Sequence, residues 1–307
     1  MSTISDHILV IGESLIDRVA SGGPEVEHVG GSPANVAHGL GRLGYPVTLL
    51  TQFGADRRGR MIEEHLRDSV DIVQGGYPDT PTSSALVTVD ADGIPSYVFD
   101  LTWDVSFPDA ISPALVHTGS LGAYLEPGCH EVVRIIRNHA RDATITLDPN
   151  LRPHIMERDT AASRLDGFVP MADVIKVSSE DLAWLHPGTN PEVIVHQWLS
   201  AGVKLVVLTR GAKGAEAWTA DAHSAVPASR VQVVDTVGAG DVFMAGLIDA
   251  LCTLTPTEQG RLANPADLDP DQLHVVLSHA ARAAGIAVTH AGAHPPTRDE
   301  LGWIAQG

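Results

Sequence analysis

Short runs of β-branched and apolar residues at positions 7–12, 47–53, 144–148, 172–177 and 204–208 each lead into a glycine or a polar residue. Runs with apolar residues on both faces suit strands buried on both sides of a parallel sheet. Between them lie stretches with apolar residues at helical spacing, which predict helices over 32–43, 57–67, 132–140 and 271–288. Strand and helix alternate clearly from residue 116 onward, and that order predicts a mostly parallel sheet with helices on both faces. One segment breaks the pattern. Residues 84–90 and 94–100 flank Ala91-Asp92-Gly93 and read as a β-hairpin, out of place in a simple doubly wound sheet.

A chain of 307 residues can bury the core of one such domain. The formal charge of −18 argues against nucleic acid as partner, because backbone phosphates need a basic stripe. Cys129 and Cys252 stand far apart without metal-ligand spacing and read as reduced packing residues. The polar start and the short run at 8–11 do not resemble a signal peptide, and no run reaches the roughly 20 apolar residues of a membrane span. The expected location is the cytoplasm.

The stretch most informative about chemistry is Asp235-Thr236-x-Gly238-Ala239-Gly240-Asp241-x-Phe243-x-x-Gly246. A β-branched run at 230–234 predicts a strand, and Phe243, Leu247 and Leu251 predict a helix starting at the glycines. Backbone amides at such a junction converge on an anion, helped by the helix dipole. A carboxylate at position 241 would repel that anion unless it had another task. Accepting the proton of an attacking hydroxyl, while the amides hold charge on a transferring phosphoryl group, is one such task. Capping a turn and a helix is the alternative.

This stretch resembles the C-terminal signature of the ribokinase-like sugar kinases, the PfkB carbohydrate kinases. Gly30-Gly31-Ser32-Pro33-Ala34-Asn35 resembles their N-terminal signature, with Ser32 expected as N-cap, Pro33 at the first helical position and Gly44 at the helix end. Gly12-Glu13-x-Leu15-Ile16-Asp17 and Asp148-Pro149-Asn150-x-Arg152 resemble the fructokinase branch. Thr209-x-Gly211-x-Lys213-Gly214 is similar to the nucleotide loop of the family; it is neither a Walker A loop nor a dinucleotide fingerprint.

The resemblance covers essentially the whole chain and implies a ribokinase-like three-layer α/β/α fold, a single domain with β-strand lid segments at about 15–30 and 82–105. The implied activity is ATP-dependent transfer of the γ-phosphate to a sugar hydroxyl, with fructose the expected substrate. Kinases of 2-keto-3-deoxygluconate, ribose or a nucleoside, and a non-catalytic sugar- or nucleotide-binding regulator, are the alternatives. Carried over residue by residue, Asp241 is the base, Arg152 and the backbone at Val237, Gly238, Ala239 and Gly240 hold phosphoryl charge, and Asp17, Gly31 and Asn35 contact sugar. Ser178, Thr209, Gly211, Lys213 and Gly214 hold nucleotide. Asp181 stands where the family has a glutamate acting on Mg²⁺ through water, and Asp235, Val237 and Gly292, the last through its carbonyl, stand near a K⁺ site. Phe99 and Trp103 either close on the sugar or form lid core, and a homodimer through the lid is implied.

Overall fold

A computed structural model describes residues 7–20, 25–77, 79–89, 95–108, 111–255, 257–258 and 260–304. The hairpin tip expected at Ala91, Asp92 and Gly93 lies outside them. The principal strands are β1 (Ile8–Ile11), β2 (Leu15–Ala20), β3 (Val26–Gly30), β4 (Val47–Thr51), β5 (Asp71–Gln74), β6 (Ser84–Val89) and β7 (Pro95–Asp100). They continue with β8 (Leu115–Gly119), β9 (Thr144–Asp148), β10 (Val174–Ser178), β11 (Leu205–Thr209), β12 (Ala215–Trp218) and β13 (His223–Val226). The helices are α1 (Ser32–Arg42), α2 (Arg57–Leu66), α3 (Ser120–Tyr124), α4 (Cys129–His139), α5 (Arg158–Phe168), α6 (Ser179–Leu185), α7 (Pro191–Ser200), α8 (Ala239–Leu254), α9 (Pro270–Ala287) and α10 (Arg298–Leu301).

Nine strands form the large sheet, in the order β13-β12-β11-β10-β9-β8-β1-β4-β5. From β5 to β11 neighbouring strands are parallel, while β12 and β13 run antiparallel at the edge. The chain leaves β1 towards β4 in one direction and builds β8 to β11 in the other. The topological switch point, where open α/β sheets hold ligands, therefore lies between β1 and β8.

The buried strands divide their side chains between two cores. Ile8, Val10, Leu49, Leu115, Val174, Leu205 and Val207 pack with α1, α8 and α9 on one face. Leu9, Ile11, Val116, Ile145, Leu147, Ile175, Val177 and Leu208 pack with α4, α5 and α7 on the other. Period-two alternation in β-strands produces this division and the three-layer fold.

A second sheet of four strands, ordered β3-β2-β6-β7, branches from the end of β1. It is mixed: β2 pairs parallel with β6, and the other pairs are antiparallel. Trp103 does not belong to it. This side chain is 3 % exposed, packs in the large-sheet core and donates its indole N–H to the Gly122 carbonyl at 2.9 Å. The indole is large enough to reach past the hairpin base into the main body, and its N–H finds an acceptor there.

The run at 230–234 is not a strand. Pro227 follows the edge strand β13 and cannot continue a hydrogen-bonded ladder, so the chain leaves the sheet. Residues 231–234 are exposed, with only the Val234 and Asp235 N–H groups tied to the Val288 carbonyl at 2.8 and 3.3 Å. Without a neighbouring pleated surface, β-branched residues have no strand to form.

Helices α1, α8 and α9 pack side by side on one face, and small residues make this close. A Cβ on Gly39 would stand 2.9 Å from the Ala245 Cβ, and one on Gly246 would stand 2.8 Å from that of Ala283. At the far end of α8 the fully buried Asp249 accepts from Tyr45 Oη at 2.8 Å, His279 Nε2 at 2.6 Å and Arg298 Nη2 at 2.5 Å. Burial alone would raise its pKa, but these hydrogen bonds outweigh burial and hold it below the usual carboxylate range. A carboxylate held down in this way contributes stability above its unfolded pKa and loses it as pH falls through the folded value. Asp249→Ala would leave the Arg298 guanidinium without its anion. A loss of about 3–5 kcal/mol is expected in urea unfolding at neutral pH; a loss below about 1 kcal/mol would show the network to be idle.

Candidate active site

Helix α8 opens without a side-chain cap. Gly238 occupies the N-cap in the left-handed region, at φ 72°, and a Cβ there would meet that of Ala293 at 2.4 Å. Only glycine satisfies both conditions. The first intrahelical bond runs from Val242 N–H to the Gly238 carbonyl at 2.9 Å, so the amides of Gly240 and Asp241 have no acceptor within the helix. Asp241 is the third helical residue and is 6 % exposed.

Three hydrogen bonds fix that carboxylate. Ser32 Oγ donates to Oδ1 at 2.6 Å, Asn35 Nδ2 to Oδ2 at 2.8 Å and Asn150 Nδ2 to Oδ1 at 3.3 Å. Two of the donors lie on α1, against which α8 packs. Ser32 was expected as the N-cap of α1, but Gly31 takes that place, at φ 104°, and Pro33 moves to the second helical position. The hydroxyl bonds the carboxylate instead, because a charge-assisted bond is stronger than one to a backbone amide. Gly44 follows the helix end at φ 94°, as its sequence position suggests.

Arg152 joins the cluster through Asn150, donating from Nη1 to the Asn150 Oδ1 at 2.5 Å and to its carbonyl at 3.0 Å. Asn150 has φ 40°, a left-handed conformation that few residues other than glycine adopt. Asp17 approaches from β2 of the small sheet, and the absence of a side chain at Gly30 leaves room for its carboxylate. Burial raises the Asp17 pKa, the Arg152 guanidinium opposes the rise, and Asp241 adds to it. Asp17, Asn35, Arg152 and Asp241 therefore share one polar cluster, with Gly31 at its edge.

The remaining expected residues form two further groups. Ser178 and Thr209 stand side by side at the ends of β10 and β11, and Gly211–Lys213 makes a short 3₁₀ turn before Gly214, at φ 101°. Gly211, Ala212 and Lys213 are exposed. Ser178 Oγ caps α6 by accepting from the Asp181 N–H at 3.0 Å, and Asp181 Oδ1 accepts from the Leu151 N–H at 3.1 Å. No hydrogen bond or ion pair among the described residues joins Thr209, Gly211, Lys213 or Gly214 to Asp241.

In the third group, Asp235 accepts from Val237 N–H at 3.0 Å and from Gly292 N–H at 2.8 Å. These bonds hold its pKa below the usual range. Gly292 meets Asp235 through its N–H, since at φ 72° the loop turns that amide towards the carboxylate. Among the described residues no cluster of three or more His, Cys, Asp or Glu could hold a metal ion.

Polar residues that the sequence reading did not place in the site also converge here. Glu13, just past β1, is buried and accepts from the Gly122 N–H at 2.7 Å across the switch point. Burial pushes its pKa up to about 7. Lys176 pairs with Asp148 at 2.7 Å in the sheet beneath α8. The one signal for Lys176 was a lysine inside the apolar run of β10.

A mostly parallel sheet, a small second sheet and a carboxylate at an amide-lined helix start define a carbohydrate kinase of the ribokinase type. The chain belongs to the pfkB family carbohydrate kinases, whose pattern it matches over residues 5–300. A fructokinase of Rhizobium leguminosarum bv. trifolii is 33% identical over 259 residues, 80% of this chain and 79% of its own. Fructokinase-1 of Zea mays is 31% identical over 98% of each chain. The solved structure of fructokinase with bound ATP from Xylella fastidiosa is similar with a TM-score of 0.86 and 28% identity, over 97% of both chains. Among the described residues, no helix is long and apolar enough to cross a membrane.

Glu13 makes a testable contribution to stability. Its folded pKa of about 7 exceeds its ordinary 4.5, so its stabilising effect is full below the lower value and lost as pH rises through the upper one. Urea midpoints at about pH 5 and about pH 8 are expected to fall more between these values in the parent than in Glu13→Gln. Equal falls would show that Glu13 titrates normally.

Proposed function

We propose that this sugar kinase phosphorylates fructose, using ATP. The observation that carries the reading is Asp241, a carboxylate fixed by Ser32, Asn35 and Asn150 at the start of a helix in which the amides of Gly240 and Asp241 have no acceptor within the helix. Asp241 takes the proton of the primary hydroxyl as that oxygen attacks the γ-phosphorus in line, and the bond from that phosphorus to the β,γ-bridging oxygen breaks, with ADP leaving. The backbone of Val237, Gly238, Ala239 and Gly240 holds the developing charge, and Arg152 adds a cation. Asp17, Gly31 and Asn35 orient the sugar. The turn from Thr209 through Gly211 and Lys213 to Gly214, with Ser178, receives the nucleotide at the ends of β10 and β11, where open α/β sheets bind ligands.

The donor set fits the ions of such a reaction. Asp181, whose Oδ1 already orders the 148–152 loop, would act on Mg²⁺ through water, and Mg²⁺ when bound neutralises charge across the phosphates. Asp235, Val237 and Gly292 would border a K⁺ site beside the glycine loop. The chain is read as one domain in which the small sheet closes over the sugar and excludes water. Val26 and Val98 are 50 % and 59 % exposed on that sheet, which favours a homodimer through it. A monomeric sedimentation profile at about 10 µM would overturn that assembly.

The test of function is coupled ADP formation with Mg-ATP and fructose, ribose, 2-keto-3-deoxygluconate or adenosine, with and without K⁺. The highest kcat/KM is expected for fructose, and a higher value for another acceptor would reassign the substrate. In the same assay Asp241→Asn is expected to lower kcat about 10²-fold or more. Retention of more than about a tenth of the parent kcat would remove Asp241 from the role of base.

A further inference from the structure

We infer that Lys176, paired with Asp148 beneath the first turn of α8, is a positioning residue that sets the positive field at the glycine loop. The inference rests on the phosphotransfer reading and assigns a residue to it that does not touch substrate.

Alternation along β10 places Val174 and Lys176 on the α8 side of the sheet and Ile175 and Val177 on the other. Asp148, at the end of β9, lies on the same side as Lys176. Lys176 Nζ donates to Asp148 Oδ2 at 2.7 Å, with 5 % and 1 % of the two side chains exposed. The ammonium lies directly behind the loop: a Cβ added at Gly240 would stand 3.3 Å from Nζ, its nearest neighbour. Glycine at 240 thus brings the backbone of the first turn against a buried cation.

As a stabilising device this pair is poorly made. A lysine carries three N–H donors, and the bond to Asp148 uses one. Asp148 Oδ1 is buried with no hydrogen-bond partner among the described residues. Half-satisfied buried ion pairs contribute little, and apolar replacements are often neutral. The location is also adverse for folding, since a cation at a helix N-terminus opposes the dipole. The same location suits an anion on the loop. Helix dipole and ammonium then act together, the ammonium from a buried position where its charge is weakly screened and needs no reorganisation. His117, next to the pair, adds no competing charge, because burial and the Lys176 charge push its pKa down to about 3.

The test compares Asp148→Asn with the double variant Asp148→Asn, Lys176→Met. The double variant removes the cation without leaving a buried carboxylate unpaired, and circular dichroism with urea unfolding confirms that each variant is folded. If Lys176 sets the field, kcat of the double variant falls at least about fivefold below that of Asp148→Asn, while the sugar KM changes less than about threefold. A smaller fall in kcat, or a loss confined to KM, overturns the inference. Absence of sugar-dependent ADP formation in the parent would instead sink the phosphotransfer reading. Calorimetric affinity for adenylyl imidodiphosphate then decides on Lys176: a fall of at least about fivefold upholds it and a smaller one overturns it.

Discussion

The Asp241 carboxylate ties together parts of the chain that no local interaction could join. Its three donors come from α1 and from the loop after β9, while its own backbone begins α8. A carboxylate so nearly buried needs its lone pairs filled. Hydroxyl and amide donors supply those bonds without a formal cation in contact. The group keeps acceptor character while remaining next to amides that attract negative charge. Arg152 stays one residue away, bonded to Asn150 instead. Direct contact between Arg152 and Asp241 would quench both charges.

That arrangement depends on how closely the helices approach. Ser32 and Asn35 reach Asp241 only because α1 lies against α8, and Gly39 and Gly246 leave no side chain between the helices and their neighbours. The Asp249 network then secures the opposite end of α8, linking it to Tyr45, to α9 through His279 and to α10 through Arg298. Helix α8 is thus held at both ends by buried carboxylates with different tasks. One is saturated by a tyrosine, an arginine and a histidine; the other is held by a serine hydroxyl and two asparagine amides. Burial raises the energy of both charges, and the partner chemistry decides what each carboxylate does.

Features written in consecutive residues were legible before any coordinates. Gly238, Gly240 and Asp241 announce a helix start with a carboxylate, because a left-handed turn and a first-turn acid are local requirements. The buried strands were legible for the same reason. Residues 230–234 misled because strand formation needs a neighbour, and Pro227 ends the edge to which they would have paired. Ser32 misled because its capping preference is local whereas its actual acceptor, Asp241, lies 209 residues away. Trp103 misled because lid and body meet within a few residues of it. The partner of Lys176 could not be read at all. Asp148 lies 28 residues earlier, and only the pairing of β9 with β10 brings the two together.

The net charge of −18 and an anionic co-substrate are reconciled by distance and depth. Exposed carboxylates more than about 8 Å away are largely screened at physiological salt. The Lys176 ammonium is buried directly behind the loop, so its influence on an anion there is screened less than that of the exposed carboxylates. A charge on an exposed side chain such as Lys213 acts through more water and with less force. A few oriented groups at short range therefore outweigh a larger number of opposite charges on the surface. An acidic exterior therefore does not decide what the glycine loop can hold.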